Sequence, residues 1–273
     1  MKRQVSYFVD DATITVDIEG ETSVGTPQVL LDQEDDLTAS TSWHKSGYIV
    51  APFLTQNEND ELRAGLRKIL HGLVDTITRR HVIHFDPENY HNYIGSDENH
   101  LALTREIKDG FAIRLLPIDI KKIEKRISDL CCMPVISICP STEEPIFNVR
   151  VVRPHKNDNN PPHRDVWLDH LKNSINVYFP IAGSGPDSDL PLVPGSHLWR
   201  ESDIERTSEG AKVNGLKFTV PSVTSCAGGI QMVRPCLGPD DFLLFSPYLV
   251  HGGGRNLSEN KTRFSLEMRF WRA

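Results

Sequence analysis

The sequence predicts a mainly β chain, one β-sandwich or barrel with helices packed on its outer face. Three observations carry this. From about Ile146 onward, short runs rich in β-branched and aromatic residues recur, "IFNVRVV", "SINVYFPI", "LKFTVPSV", "IQMVRP", "DFLLFSPYLV" and "RFSLEMRFW", punctuated by proline, glycine and aspartate. Ahead of them lies a long stretch with helical spacing of apolar residues. The 273 residues suit one large domain or two small ones, with ample length for a buried core.

Taken in order, residues 4–20 read as strands, because "VSYFV" and "TITVDI" are β-branched and aromatic. "LLDQEDDLTASTS" is an acidic, polar connection, and "SGYIVAPFL" a short strand. An amphipathic helix follows, with Leu62, Leu66, Ile69, Leu70, Leu73 and Ile77 on one stripe. Thr55 is its expected N-cap, and Glu58 completes a capping box. A second helix is expected over Pro117 to Cys131, from the spacing of Ile120, Ile123 and Ile127. The stretch "HFDPENYHNYIGSDEN" between them reads as a lid or substrate-binding loop.

The net charge of −7, with no basic block, speaks against nucleic acid as a partner. The odd count of five cysteines and the lack of a CxxC pair fit reduced thiols in a cytoplasmic protein. Acidic residues interrupt the N-terminal apolar stretch, so no signal peptide is expected, and no run is long enough to span a membrane.

The last β run alternates Arg263, Ser265, Glu267 and Arg269 with Phe264, Leu266, Met268 and Phe270. Its polar face either meets water or lines a ligand cavity, and the run itself does not choose. The segment before it favours a cavity. "DDFLLFSPYLVHGGGRN" puts His251 at a strand end, and three glycines leave the backbone bare beside the imidazole. In "NNPPHRDVW", His163 and Asp165 are two apart and fall on one side of an extended segment. Alone, such a pair is a surface turn, a salt bridge or part of a metal site. With His251 it makes two imidazoles and one carboxylate, a facial set that leaves three octahedral positions open. Arg263, twelve residues past His251, offers a guanidinium fork for a carboxylate, and Ser265 a hydroxyl on the same face.

The pieces "HRD", "LPLVPGSH", "DDFLLFSPYLVHGGGRN" and "TRFSL", with the opening "HKSGYIVAPFLTQNENDELRAGL", resemble the Fe(II)- and 2-oxoglutarate-dependent oxygenases, specifically their phytanoyl-CoA dioxygenase-like branch. The resemblance spans residues 43–271, and "SDL" stands where relatives usually have "NG" before "PLVPGSH". It implies a double-stranded β-helix, or jelly roll, over residues 43–273, with residues 1–42 as an extension packed on or near it. It implies Fe(II), 2-oxoglutarate and O2 as the reagents, with His163, Asp165 and His251 as metal ligands. Arg263, with Ser265 beside it, would take the distal carboxylate of 2-oxoglutarate, and Asn176 and Tyr178 would contact the same cosubstrate. Asp165 argues for oxygenation, since halogenating relatives carry a small residue there. "PGSH" is typical of the family without being catalytic, so His197 is expected in a structural loop.

Asn148, Arg150, Trp167 and His170 are expected to contact substrate, and Arg114 and Arg153 are further candidates for an anionic one. The histidines His81, His84, His91 and His100 suggest a second metal site, set against simple solvation. The partner expected is a small polar metabolite such as a sugar, amino acid or natural-product intermediate, with room for a homodimer. The competing readings are a non-catalytic cupin-like metabolite-binding protein and a metalloenzyme that does not use 2-oxoglutarate.

Overall fold

A computed structural model of the chain describes residues 2–32, 34–110, 115–158 and 160–273. Arg114 lies outside the described residues. The fold is mostly antiparallel β in a jelly-roll arrangement backed by helices. Its principal sheet orders β4 (Tyr48–Pro52), β13 (Asp241–Phe245), β7 (Ser174–Ala182), β14 (Arg263–Arg272) and β5 (Val135–Ile136), with β6 (Phe147–Val152) also paired to β14. The pairing of β7 with β14 runs their whole length, Leu266 opposite Phe179 and Arg269 opposite Asn176.

This register decides what the alternation in β14 left open. Phe264, Leu266, Met268 and Phe270 are fully buried on the outer face, with Val177 and Phe179 beside them. There they meet Leu62, Leu66, Leu70 and Val74 of α1 (Gln56–Thr78) and Ile123 and Ile127 of α4 (Ile120–Cys131). Arg263, Ser265, Glu267 and Arg269 therefore point into the interior of the roll, with Asn176 and Tyr178 of β7.

Helix α1 starts where its sequence indicates. Thr55 accepts from the Glu58 amide and Glu58 reaches back to the Thr55 amide, so two free amides are satisfied reciprocally. Helix α4 starts at Ile120, since the Asp119 side chain caps it and Pro117 stands outside. The expected loop is a correction. It holds a 3-10 turn (Pro87–Asn89) and the one-turn helix α2 (Tyr90–Tyr93), and its last three residues open a full helix, α3 (Asp97–Gly110), which packs on α1 and β6. Polar residues on the exposed face of α3 masked its apolar positions Leu103 and Ile107, which are buried.

The second layer is less regular. β8 (Ile204–Thr207) lies between β3 (Thr22–Val24) and β11 (Val223–Cys226). The N-terminal hairpin of β1 (Lys2–Val9) and β2 (Ala12–Glu19) joins β9 (Ala211–Val213), β10 (Leu216–Phe218) and β12 (Gln231–Met232) in a five-stranded sheet. Its apolar face covers Val193, Ile204, Val223 and Val250. No helix among the described residues is long and apolar enough to cross a membrane.

The helix–sheet core sets the stability of the principal sheet. Leu66 is fully buried in it, so Leu66→Ala is expected to cost about 2–5 kcal/mol. Leu101, 55% exposed, is expected to cost within about 0.5 kcal/mol as Leu101→Ala. Urea unfolding of the two variants beside the parent checks the contrast.

Candidate metal centre and its two cavities

His163 and His251 meet as directly opposed residues of an antiparallel bridge. Each amide donates to the other's carbonyl, at 2.9 and 3.0 Å, and the rings lie 4.4 Å apart between centroids. The close approach needs the glycines after His251. A Cβ on Gly252 would stand 3.0 Å from the His163 ring, and Gly252 and Gly253 hold φ of 88° and 70°. Asp165 opens a 3-10 turn, with its amide on the Pro247 carbonyl at 3.0 Å. Arg164, between His163 and Asp165, points the other way onto Glu201 and the Ser196 carbonyl.

The hydrogen bonds around the three side chains leave acceptors facing one another. His163 donates Nδ1–H to the Pro161 carbonyl at 2.7 Å, and His251 donates its own to the Leu249 carbonyl at 2.9 Å. A carbonyl only accepts, so in each neutral ring the proton sits on Nδ1 and Nε2 carries the lone pair. Those two Nε2 atoms lie 3.2 and 3.9 Å from Asp165 Oδ1. The other carboxylate oxygen is spoken for: Oδ2 accepts from Asn176 Nδ2 at 2.9 Å and from Arg269 Nε and Nη2 at 3.2 and 2.9 Å. Three buried ligand atoms thus lie within 4.8 Å of one another. That donor set fits a cation.

The electrostatics agree. Burial pushes the His251 imidazole down to about 4, so it is neutral near pH 7. Burial alone would raise the Asp165 carboxyl, but the Arg269 guanidinium outweighs it and the group is held well below the usual carboxylate range.

Two further guanidinium–carboxylate pairs continue along β14. Arg150 of β6 donates to Glu267 at 3.0 Å, and Arg263 donates to Asp158 at 2.5 Å and to the Ser188 carbonyl at 2.7 Å. Arg263 is 1% exposed, and its centre lies 5.8 Å from the Tyr178 ring. Tyr178 in turn donates to Asp189 at 3.1 Å. Arg263 Nε, Ser265 Oγ and Asn176 Oδ1 are buried without a partner, so the interior holds polar groups that the folded chain leaves unmet.

Two cavities meet here. The inner one is lined by His163, His251, Asn176, Arg150, Glu267 and Arg269, and its volume of about 20 Å³ holds little more than a water. The outer chamber, about 370 Å³, lies between the N-terminal hairpin, α3, β6 and β10. Asp158 and Asn160 line both.

Of the residues expected to contact substrate, Arg150 lines the inner cavity and Arg153 the outer one. Asn148 lines neither, Trp167 packs beside Arg206 and donates to Glu201, and His170 is exposed. His197 is buried in its loop and donates to the His44 carbonyl. The suggested second histidine site does not form: His91 bonds Thr262, His100 bonds Tyr90, and His81 pairs with Asp75. His71, Asp75 and His81 do gather at the surface, but His71 Nε2 donates to the Val82 carbonyl at 2.7 Å and offers no lone pair there. Sequence reasoning missed Arg269, although it shares the polar face of β14 with Arg263. It also missed Asp158, whose segment carries no motif.

A family model for phytanoyl-CoA dioxygenase (PhyH) matches residues 43–265. No curated protein matches the chain. Among solved structures, ThoJ, a non-heme monooxygenase in its apo form, is 12% identical with a TM-score of 0.50, over 87% of this chain and 77% of its own. AviO1 from Streptomyces viridochromogenes Tue57 is 17% identical at a TM-score of 0.49, over 87% and 95%. EctD from S. alaskensis, also in apo form, is 13% identical at 0.45, over 93% and 85%. At such identities the likeness is one of fold.

Histidine burial makes the metal-free protein acid-sensitive. His251 and His100 both have folded values of about 4, below the unfolded value of about 6.5. The unfolded chain therefore binds more protons between these limits. Stability is complete above about pH 6.5 and falls as pH drops toward 4. His251 contributes up to about 1.4 kcal/mol per pH unit, and the more exposed His100 less. Chemical unfolding of metal-free protein across this range should show the decline, and a flat profile would contradict it.

Proposed function

The chain belongs to the phytanoyl-CoA dioxygenase (PhyH) family of non-heme iron, 2-oxoglutarate-dependent oxygenases, and on that premise we propose that it hydroxylates or otherwise oxidises a small metabolite, with release of succinate and CO2. The observation that carries this reading is the convergence of His163, Asp165 and His251, three buried side chains whose ligand atoms lie within 4.8 Å of one another, with each imidazole Nδ1–H directed to a backbone carbonyl and its Nε2 toward Asp165. His163, Asp165 and His251 hold the iron. With 2-oxoglutarate bound, iron supplies the activation of O2, coupled to oxidative decarboxylation of the cosubstrate.

The chain's own residues bind and orient. The Nδ1–H bonds to Pro161 and Leu249 fix each imidazole in the tautomer a metal requires. Asn176 and Arg269 tie down Asp165 Oδ2, so a single oxygen is offered and the carboxylate stays charged. Asn176 is thereby a positioning residue, in addition to its expected place beside the cosubstrate. Arg263 receives the distal carboxylate of 2-oxoglutarate, and the unmet Arg263 Nε and Ser265 Oγ support that role. Tyr178 walls the same end.

The substrate occupies the outer chamber, whose volume suits a small molecule. Its walls mix Arg153, Lys156, Asn157 and Asn214 with Leu101 and Leu216, which suits a polar metabolite with some apolar surface. Residues 1–42 act as an extension of the 43–273 oxygenase domain and supply one wall through Tyr7 and Val16. Five free cysteines, Cys131 and Cys139 among them buried, favour the reducing cytoplasm.

Anaerobic titration of the Fe(II) protein with 2-oxoglutarate is expected to give the visible charge-transfer band of a chelated cosubstrate. His251→Ala should abolish the band. Arg263→Met should weaken 2-oxoglutarate binding by roughly 10- to 100-fold, the worth of a hydrogen bond to a charged group. A band that survives His251→Ala would refute the metal assignment.

Substrate is sought by succinate release against metabolite pools. Leu216→Trp, which narrows the outer chamber, should reduce substrate-stimulated succinate release and leave the 2-oxoglutarate titration unchanged.

A further inference from the structure

We propose that Asp158 is a resident carboxylate that occupies the place of the cosubstrate's distal carboxylate on Arg263, and that it must turn aside for 2-oxoglutarate to bind. The inference rests on the reading of Arg263 given above.

Three observations carry it. Arg263 is buried, and the charge it meets is Asp158, at 2.5 Å. Each terminal nitrogen already donates one hydrogen bond, Nη2 to Asp158 and Nη1 to the Ser188 carbonyl, so an arriving carboxylate has to share Arg263 with a resident one. A second carboxylate placed there beside Asp158 would meet like-charge repulsion in a poorly solvated interior. The third observation is volume. The inner cavity is tight, about 20 Å³, so movement of a lining side chain would make room for a five-carbon dicarboxylate. Asp158 is placed to be that side chain, because it touches Arg263 and borders both the inner cavity and the outer chamber.

The motion is local. The segment around Asp158 is fastened through its backbone: the Asp158 amide donates to Gly254 at 2.7 Å, Asn157 bridges to Arg255, and Asn256 donates to Lys156 at 3.0 Å. Rotation of the side chain toward the outer chamber leaves these bonds in place. Arg263 then exchanges one carboxylate for another, and its buried charge is never without a partner. A protein in which Asp158 holds Arg263 most of the time binds cosubstrate with an affinity reduced by that closed fraction.

The test is the anaerobic Fe(II) titration, read as the saturation of the charge-transfer band rather than as turnover. Asp158→Asn keeps the shape and removes the charge, and it is expected to bind 2-oxoglutarate at least about tenfold more tightly than the parent. Asp158→Ala repeats the measurement in case the asparagine retains a hydrogen bond to Arg263. A second readout is thermal. Without cosubstrate, Asp158→Asn leaves Arg263 unpaired, so 2-oxoglutarate with Mn(II) should raise its melting temperature more than it raises that of the parent.

Unchanged or weaker binding in both variants, with an equal thermal shift, overturns the proposal. If Arg263→Met loses cosubstrate binding while the Asp158 variants match the parent, the resident carboxylate alone is refuted. If Arg263→Met binds as the parent does, the assignment of Arg263 fails and this proposal falls with it.

Discussion

The metal centre depends on a buried guanidinium that faces away from it. Arg164 lies between His163 and Asp165, is wholly buried, and bonds Glu201 and the Ser196 carbonyl. A buried charge is tolerated only where its partners are in place, so this arginine has one acceptable position, and the residues on either side are fixed opposite it. Glu201 is itself held by Trp167 at 3.1 Å and lies 3.7 Å from Arg206. Ser196 links this anchor to the second imidazole. Its carbonyl accepts from Arg164, and its hydroxyl accepts from the Val250 amide at 2.8 Å, one residue before His251. The "PGSH" turn has no chemistry of its own. It is where the two chain segments that carry the histidines are fastened together.

Charge balance runs through the interior in the same way. Arg269 pairs with Asp165, Arg150 with Glu267, and Arg263 with Asp158. Each of these guanidiniums has its own carboxylate before metal or cosubstrate arrives. A divalent iron and a dianionic cosubstrate together add no net charge. What they change is the pairing at Arg263, which is why the affinity for cosubstrate turns on Asp158 in the proposal above. The buried pairs also keep three arginines extended inside a narrow roll, where an unpaired one would fold out to water.

Much of this was legible in the sequence, and the reasons are physical. The capping box at Thr55 and Glu58 is local chemistry, and the α1 stripe is periodicity, so both survive without tertiary information. The convergence of His163, Asp165 and His251 was legible because "HRD" and "HGGG" are motifs whose spacing limits what they can do. Asp158 was not, because its partner is 105 residues away and nothing near it is periodic. The bond from Asn176 to Asp165 was not legible either, since it depends on how β7 registers against β14 rather than on its own segment. Trp167 and His170 sit close to the ligands in sequence, but the 3-10 turn at Asp165 carries them away from the cavity.

The outer chamber draws part of its wall from outside the segment that carries the metal centre. The ligand residues and Arg263 lie within residues 43–265, the part matched by the family model. Tyr7 and Val16 of the chamber wall lie before it, on a hairpin that pairs with β9 and thereby carries β10 with it. The hairpin reaches the centre by packing on Val250 and by a hydrogen bond: Tyr7 donates to the Gly253 carbonyl at 2.6 Å, two residues past His251. Burial pushes the Tyr7 phenol well above its ordinary value, so it remains a donor at any working pH. A Cβ on Gly253 would lie 2.8 Å from that hydroxyl, so the glycine run that lets the imidazoles approach also admits the hairpin. The hairpin and the metal-centre segment thus meet at Gly253, where one glycine run serves both the approach of the imidazoles and the seat of Tyr7.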